Sequence, residues 1–265
     1  MQKKQTLQSA IFLGRKEGAL GALQYLLQQK VAIKMVVNPG GTDLSLRSFA
    51  QKHKIRFLTD DRMLYRTIER KDASIRADLV ISYLYPKKIR RPLIEHAKLG
   101  CINFHPAPLP EYRGRAGYNT AILEKKKRFG VSAHVIDSET FDSGPIIEVL
   151  RFRIDPSHES VLSLERLTQK KLLELFKIVI ARYKKGAAIK TKQNRGGLYL
   201  TAEGLESMKR ILPSDSAKDI HRKIRAFFFP PYRGATIEIK GETFTLVDDE
   251  MLSELGKLLK TQRHV

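Results

Sequence analysis

Gln8-Ser9-Ala10-Ile11-Phe12-Leu13-Gly14 is a short, mostly apolar run that stops at a glycine. Residues 18–29 follow with Leu and Ala at helical spacing, and residues 31–37 return to an apolar, β-branched run ending at Asn38-Pro39-Gly40. Apolar runs of this length between turn residues mark buried strands, and the 3.6-residue period between them marks a helix. The pattern continues. Residues 44–54 read as helix, 55–58 as strand, 63–71 as helix and 77–83 as a buried strand ending at Tyr85-Pro86. Residues 87–98 read as helix with Pro92 in its first turns, and 100–104 as strand. This alternation predicts an α/β fold, a doubly wound, mainly parallel sheet with helices on both faces.

Gly14, Gly18 and Gly21 lack the spacing of a dinucleotide fingerprint and read as a tight turn and close helix packing. There is no phosphate loop with its Lys-Ser/Thr pair and no Cys/His pattern with zinc spacing, so no metal is expected. Further along, 116–123 reads as helix, 132–136 as a strand, and 145–152 as its hairpin partner around a turn at Asp142. Residues 161–183 form a long amphipathic helix and 184–197 a polar, basic return connection. A composition shift near Thr201 divides the chain into a large domain, 1–200, and a small C-terminal α+β subdomain, 201–265. In the latter, Ser214-Asp215-Ser216 caps a helix over 217–228, and residues 235–239 and 242–247 alternate around Lys240-Gly241 as a hairpin. A charged helix and tail close the chain over 250–265.

The 265 residues carry one cysteine, Cys101, so no internal disulfide forms, which fits a reducing cytoplasm. No long uncharged apolar run marks a transmembrane helix, and residues 1–6 lack the apolar core of a signal peptide, so a cytoplasmic location is expected. The formal net charge is +21, which draws polyanions and anionic small molecules from a distance. The basic residues are dispersed, as at Lys125–Arg128 and Lys184-Lys185. A solvated basic surface accounts for them equally, and charge alone does not select RNA over a nucleotide diphosphate.

The chemistry concentrates in Asn103-Phe104-His105-Pro106-Ala107-Pro108-Leu109-Pro110. Two-residue spacing puts Asn103 and His105 on one face of an extended segment. The prolines then forbid a helix and stiffen the turn. An acid in a turn, Phe141-Asp142-Ser143-Gly144-Pro145, comes about forty residues later. Sites in open parallel sheets gather beyond the carboxyl ends of the strands. Asn, His and Asp there suit acyl transfer between nitrogens. The Asn103 carboxamide donates to a developing oxyanion, worth about 3–4 kcal/mol. His105 takes the proton of an attacking amine or stabilises charge as an imidazolium, and Asp142 orients His105 and relays a proton through water. Cys101 reads as a buried strand-end thiol turned away from the Asn/His face. His134 reads as a packing histidine in a strand, and His53, His96, His158, His221 and His264 as surface groups.

Gly100–Pro106, with Leu109-Pro110 and Tyr112-Arg113-Gly114, resembles the formyltransferase family, which includes glycinamide ribonucleotide, methionyl-tRNA and sugar N-formyltransferases. Residues 130–136 are similar to the family strand before the acid, and Ile81–Pro86 to its pterin-pocket loop; the resemblance covers at least residues 77–152. It implies 10-formyltetrahydrofolate as co-substrate and Asn103, His105 and Asp142 as the catalytic residues. It further implies cofactor contacts from Tyr83, Leu84, Tyr85, Pro86, Ser138, Glu139 and Thr140. The stretch 104–112 and Gly117-Tyr118-Asn119 look most like the sugar enzymes. The expected acceptor is therefore a nucleotide-linked amino sugar, as in lipopolysaccharide biosynthesis, with Tyr112, Arg113, Tyr118 and Asn119 as lip residues and Phe229 or Tyr232 as the aromatic on which a base or sugar ring stacks. A homodimer is expected from the resemblance. The alternatives are a methionyl-tRNA formyltransferase, with nucleic acid as partner in that case, and a non-catalytic RNA-binding or regulatory homologue.

Overall fold

The computed structural model describes residues 5–41, 43–115 and 117–262. The first elements are β1 (Ser9–Gly14), α1 (Glu17–Gln28), β2 (Ala32–Val37), α2 (Leu44–Lys52), β3 (Arg56–Leu58) and α3 (Arg62–Glu69). Then come β4 (Leu79–Tyr83), α4 (Arg91–Ile94), β5 (Cys101–His105), β6 (Tyr112–Gly114), α5 (Gly117–Leu123), β7 (Arg128–Val135) and β8 (Ile146–Arg153). The last are α6 (Val161–Lys184), β9 (Leu198–Leu200), α7 (Ala202–Met208), α8 (Ala217–Phe227), β10 (Thr236–Ile239), β11 (Glu242–Thr245) and α9 (Asp249–Gln262).

Seven strands form one sheet in the order β3-β2-β1-β4-β5-β7-β8. The first five run parallel, and β7 joins β5 antiparallel. The expected doubly wound α/β sheet is present, and its order reverses between β1 and β4. The chain divides into two compact units. One takes the chain up to Arg113 with Gly130–Arg151 and Thr168–Gly197; the other takes Gly114–Phe129, Phe152–Leu167 and the chain from Leu198.

In the first unit, strand alternation sends side chains to two cores. Ile11, Leu13, Met35, Val37, Val80 and Cys101 pack with Leu64, Tyr65 and Leu93 of α3 and α4. Phe12, Tyr83 and Phe104 meet Phe176 of α6, with successive ring centroids 6.2, 6.0 and 4.8 Å apart. Each fully buried side chain of this size contributes about 1.5–3 kcal/mol. Gly18 and Gly21 permit the close packing read from sequence. A Cβ on Gly18 would lie 2.5 Å from Tyr83 Oη, and one on Gly21 2.7 Å from Leu173 Cδ2.

The second unit has its own core of Ile211, Ile224, Phe228, Ala235 and Met251. Its hairpin, β10 with β11, turns at Lys240 and Gly241, both with positive φ, as a tight two-residue hairpin turn requires. The helix expected over 87–98 shrinks to the single turn α4. Pro92 sits in its first turn, and its ring and missing N–H bar any helical turn before it. The short elements β6, β9 and α7 had no period long enough to read. Ala116 of the helix expected over 116–123, residues 1–4, and residues 263–265 with His264 lie outside the described residues. Among the described residues no helix is long and apolar enough to cross a membrane.

Candidate active site

Three polar residues break the apolar interior of neighbouring strands. In the sheet register Ser82 of β4 pairs with Asn103 of β5, and Asn103 stands opposite His134 of β7. Directly opposed residues of an antiparallel pair have Cβ atoms roughly 4.5–5.5 Å apart, within side-chain reach. The row is hydrogen-bonded throughout. Ser82 Oγ donates to Asn103 Oδ1 at 2.7 Å, and Asn103 Nδ2 lies 3.0 Å from His134 Nε2 and 3.3 Å from Asp142 Oδ1. His134 Nδ1 lies 2.8 Å from the Val135 carbonyl oxygen. A carbonyl only accepts, so in neutral His134 the proton sits on Nδ1 and Nε2 accepts from Asn103.

Asp142 is where the groups meet. Its Oδ1 lies 3.3 Å from His105 Nδ1 and 3.4 Å from His134 Nε2, besides Asn103 Nδ2. Asp142 and both histidines are buried. His105 Nε2 lies 2.9 Å from the Tyr112 carbonyl oxygen, to which it donates. In the neutral ring Nδ1 therefore carries the lone pair and faces Asp142. Burial drives the His105 pKa below its ordinary 6.5, and the Asp142 carboxylate opposes that shift without cancelling it. His105 is thus a neutral base beside a carboxylate that stabilises its protonated form.

The Asp142 turn is held from behind. Asp142 adopts φ 50, a left-handed conformation that Asp tolerates better than most residues. Asn194 Nδ2 donates to the carbonyl oxygens of Asp142 and Gly144, each at 2.9 Å. Gly144 is obligatory, because a Cβ there would lie 1.9 Å from the Val135 carbonyl oxygen. The proline shelf is tied to β7 by Ser132, which donates to the Ala107 carbonyl and accepts from Leu109 N–H, both at 2.8 Å.

Ser82, Asn103, His134 and Asp142 line a cleft with Tyr85, Lys87, Lys88, Ile89, Ile136 and the loop 138–141. His105 is outside that lining and reaches the constellation through Asp142.

A family model described as formyl transferase matches residues 2–180. The chain belongs to the formyl transferase family. A methionyl-tRNA formyltransferase of Wolbachia sp. is 27% identical over 267 residues, covering 96% of this chain and 86% of the relative. A GDP-perosamine N-formyltransferase of Brucella melitensis is 29% identical over 172 residues, 65% of each chain. The N-formyltransferase of Helicobacter canadensis, solved with folinic acid and dTDP-3-aminofucose, superposes with a TM-score of 0.69 at 22% identity. That match covers 89% of this chain and 85% of that one.

The expected residues of this formyl transferase fall in different places. Tyr85, Ser138, Glu139 and Thr140 line the cleft; Tyr83, Leu84 and Pro86 do not. Tyr83 is fully buried in the aromatic cluster, because alternation along β4 turns it to the face opposite Ser82. Leu84, with φ 56, comes just after that strand. Glu139 Oε1 accepts from Arg91 N–H at 3.0 Å, fastening the loop to α4. Tyr112 is buried and gives its carbonyl to His105, and Arg113 is half-buried next to it in the chain.

Tyr118, Asn119, Phe229 and Tyr232 belong to the second unit. There Asn119 Nδ2 donates to the Ala226 carbonyl at 2.7 Å, joining α5 to α8. Tyr118 packs against Phe129, and Phe229 stacks on Tyr232, which is 71% exposed.

Cys101 is buried as expected, with its thiol pKa pushed up by burial, but it does not turn away from Asn103. Residues two apart share a strand face, so Cys101 lies on the same side, in the core beneath. His134 is no mere packing residue. A polar residue at period two in the strand opposite Asn103 was the available signal. Ser82 interrupts an apolar strand and was readable in the same way; Asn194, in an irregular connection, gave no signal. His96 is half-buried, with Nε2 2.9 Å from the Ile75 carbonyl, instead of a free surface group. Among the described residues no cluster of His, Cys, Asp and Glu is suited to a metal.

Proposed function

We propose that this formyl transferase moves the formyl group of 10-formyltetrahydrofolate to the amine of a nucleotide-linked amino sugar. The observation that carries the reading is the meeting of Asn103, His105 and His134 on one oxygen of Asp142, within 3.3–3.4 Å, at the edge of a cleft. The cleft suits a folate. Tyr85, Ile89, Ile136 and Phe141 offer apolar walls, Ser138 and Thr140 polar atoms, and Lys88 positive charge for carboxylates, Lys87 being paired with Asp61 at 3.0 Å. When bound, the folate supplies the formyl carbon. Asn103 Nδ2 donates to the formyl oxygen as it gains charge. Asp142, which lines the cleft, relays the proton of the attacking amine to His105 Nδ1 and stabilises the imidazolium; the proton returns by the same route to N10 as the formyl–N10 bond breaks and tetrahydrofolate leaves. His134 holds the second Asn103 N–H.

For the acceptor, support comes from the sugar-like stretch 104–112, from the Brucella relative and from the Helicobacter neighbour with its sugar nucleotide. Arg113 supplies charge for a diphosphate. Asn119, whose amide is engaged by Ala226, is the weakest of the proposed lip residues. Methionyl-tRNA is the second reading. The Wolbachia relative matches nearly the whole chain, and a net charge of +21 suits RNA. The test is formyl transfer from 10-formyltetrahydrofolate to a panel of amino-sugar nucleotides, with initiator methionyl-tRNA alongside. Turnover of a sugar nucleotide is expected. Turnover of tRNA alone transfers the case to the second reading, and formylation of neither sinks both.

A further inference from the structure

Ser82 belongs to no role assigned above. It sits on β4 between Ile81 and Tyr83, 2% exposed, in a strand whose other members are all apolar or aromatic. A buried hydroxyl in such a strand is costly unless it is hydrogen-bonded, and the Ser82 hydroxyl donates to Asn103 Oδ1 at 2.7 Å.

That bond satisfies the oxygen end of the carboxamide, while the acceptors at its other end set which way round it lies. The two ends of an Asn side chain are nearly the same shape and opposite in hydrogen-bonding character. On one side stand the Asp142 oxygen at 3.3 Å and the His134 Nε2 lone pair at 3.0 Å, both acceptors. On the other stands Ser82. With Oδ1 on Ser82, both N–H groups of Asn103 point at acceptors, Asp142 Oδ1 and His134 Nε2. Reversed, Oδ1 would confront a carboxylate oxygen and an imine nitrogen; a hydroxyl accepts as well as donates, so Asp142 and His134 exclude that orientation and Ser82 anchors the one that remains. His134 presents a lone pair because the Val135 carbonyl takes its only proton. The chain Ser82–Asn103–His134 thus has a single consistent donor direction across three strands.

We infer that Ser82 is a positioning residue for formyl transfer, anchoring Asn103 Oδ1 so that the carboxamide N–H groups stay on the Asp142 and His134 side; this rests on the reaction proposed above. Ser82 touches no reacting atom and acts through Asn103.

The experiment compares Ser82→Ala, Ser82→Cys and Ser82→Thr with the wild type in two ways. One is steady-state transfer from 10-formyltetrahydrofolate. The other is the side-chain amide signals of Asn103 in ¹⁵N-labelled protein, assigned as the pair missing from Asn103→Ala. Loss of the hydroxyl in Ser82→Ala should lower kcat about ten- to a hundredfold. The KM for the folate should stay within about twofold. Ser82→Cys keeps the packing with a weak donor and should fall with Ser82→Ala, so it carries the test if the alanine variant fails to fold. Ser82→Thr keeps the hydroxyl and should recover most of kcat. The Asn103 amide protons should exchange faster with water in the Ala and Cys variants. A kcat within about twofold of wild type in the Ala and Cys variants, or a rise in KM with kcat unchanged, overturns the assignment. So do Asn103 signals identical in all four proteins. That second measurement needs no turnover, so it judges Ser82 even if the wild type transfers no formyl group and the proposed reaction falls.

Discussion

Asn194 Nδ2 holds the Asp142 carbonyl oxygen at 2.9 Å while the Asp142 side chain collects Asn103 and both histidines. The same nitrogen holds the Gly144 carbonyl at 2.9 Å, so one buried amide clamps both ends of the turn from Asp142 to Gly144, whose first residue is left-handed. Asn194→Ala would leave two carbonyls without that donor. The expected cost is about 1–3 kcal/mol, read as a lower urea midpoint with an unchanged m-value. The kcat should drop alongside, because the carboxylate loses its fixed place. A variant of wild-type stability and kcat would show that the Asp142 turn holds itself.

Asn103 and His105 should behave differently from His134 in the proposed reaction. Asn103→Ala removes the donor to the developing charge and should lower kcat about 10²–10³-fold. His105→Ala removes the base and should lower it about 10²–10⁴-fold. His134→Ala leaves both in place and should cost less than either, because it removes only an acceptor that holds Asn103. Folate binding, measured by fluorescence quenching, should persist in all three. Wild-type kcat in Asn103→Ala or His105→Ala would break the assignment of that residue.

Range along the chain separates the legible features from the hidden ones. Strand-helix alternation over 8–104 is a local signal, and it returned the parallel sheet because buried strands and amphipathic helices differ in period. Asn103 and His105 were legible because two-residue spacing fixes a shared face. His134, Ser82 and Asn194 were harder because their roles depend on pairings 21 to 52 residues apart in sequence, set by the register β4-β5-β7 and by an irregular connection. Cys101 shows the opposite failure. The period was available, and parity places it on the Asn103 face, but depth in the core and not direction keeps its thiol buried.

Stability should depend on pH through His105. Its folded pKa lies below the ordinary 6.5, chiefly through burial, while Asp142 pulls the other way and His134 adds to the lowering. Between the folded pKa and 6.5 the unfolded chain binds a proton that the native site does not, so stability rises with pH across that window. The contribution is fully present above 6.5 and is lost as pH falls through the folded value. Urea unfolding from about pH 4 to 8 should therefore show a shallower acid slope in His105→Gln than in wild type. Parallel curves would mean that His105 does not titrate abnormally. If it is the base, the acid limb of kcat that belongs to it also lies below 6.5.

Asn119 separates two roles by measurement. Its amide donates to the Ala226 carbonyl at 2.7 Å inside the α5–α8 contact, and the side chain is buried. Asn119→Ala should destabilise by about 1–3 kcal/mol because it leaves that carbonyl without its donor. The KM for the acceptor should stay at the wild-type value. A raised KM at unchanged melting temperature would instead make Asn119 a substrate contact.

The acceptor is best judged by salt. A protein that neutralises phosphates of a nucleic acid releases their counterions, and log K falls with log salt at about 0.9 per contact on a duplex. For six to ten such contacts, affinity drops by about 10³–10⁵ between roughly 50 and 200 mM salt. A nucleotide diphosphate offers far fewer charges and gives a much shallower slope. The net charge of +21 does not decide between them, since Arg62 and Arg66 of α3 and Arg70 at its C-terminal end show how much of it stands exposed on the surface. Measuring KM at several salt concentrations for an amino-sugar nucleotide and for initiator methionyl-tRNA does decide. Under the sugar reading the first should saturate with a weak salt slope, and tRNA should bind only loosely and unproductively at low salt. A steep slope with productive tRNA turnover, and no turnover of any sugar nucleotide, would reverse the order of the two readings.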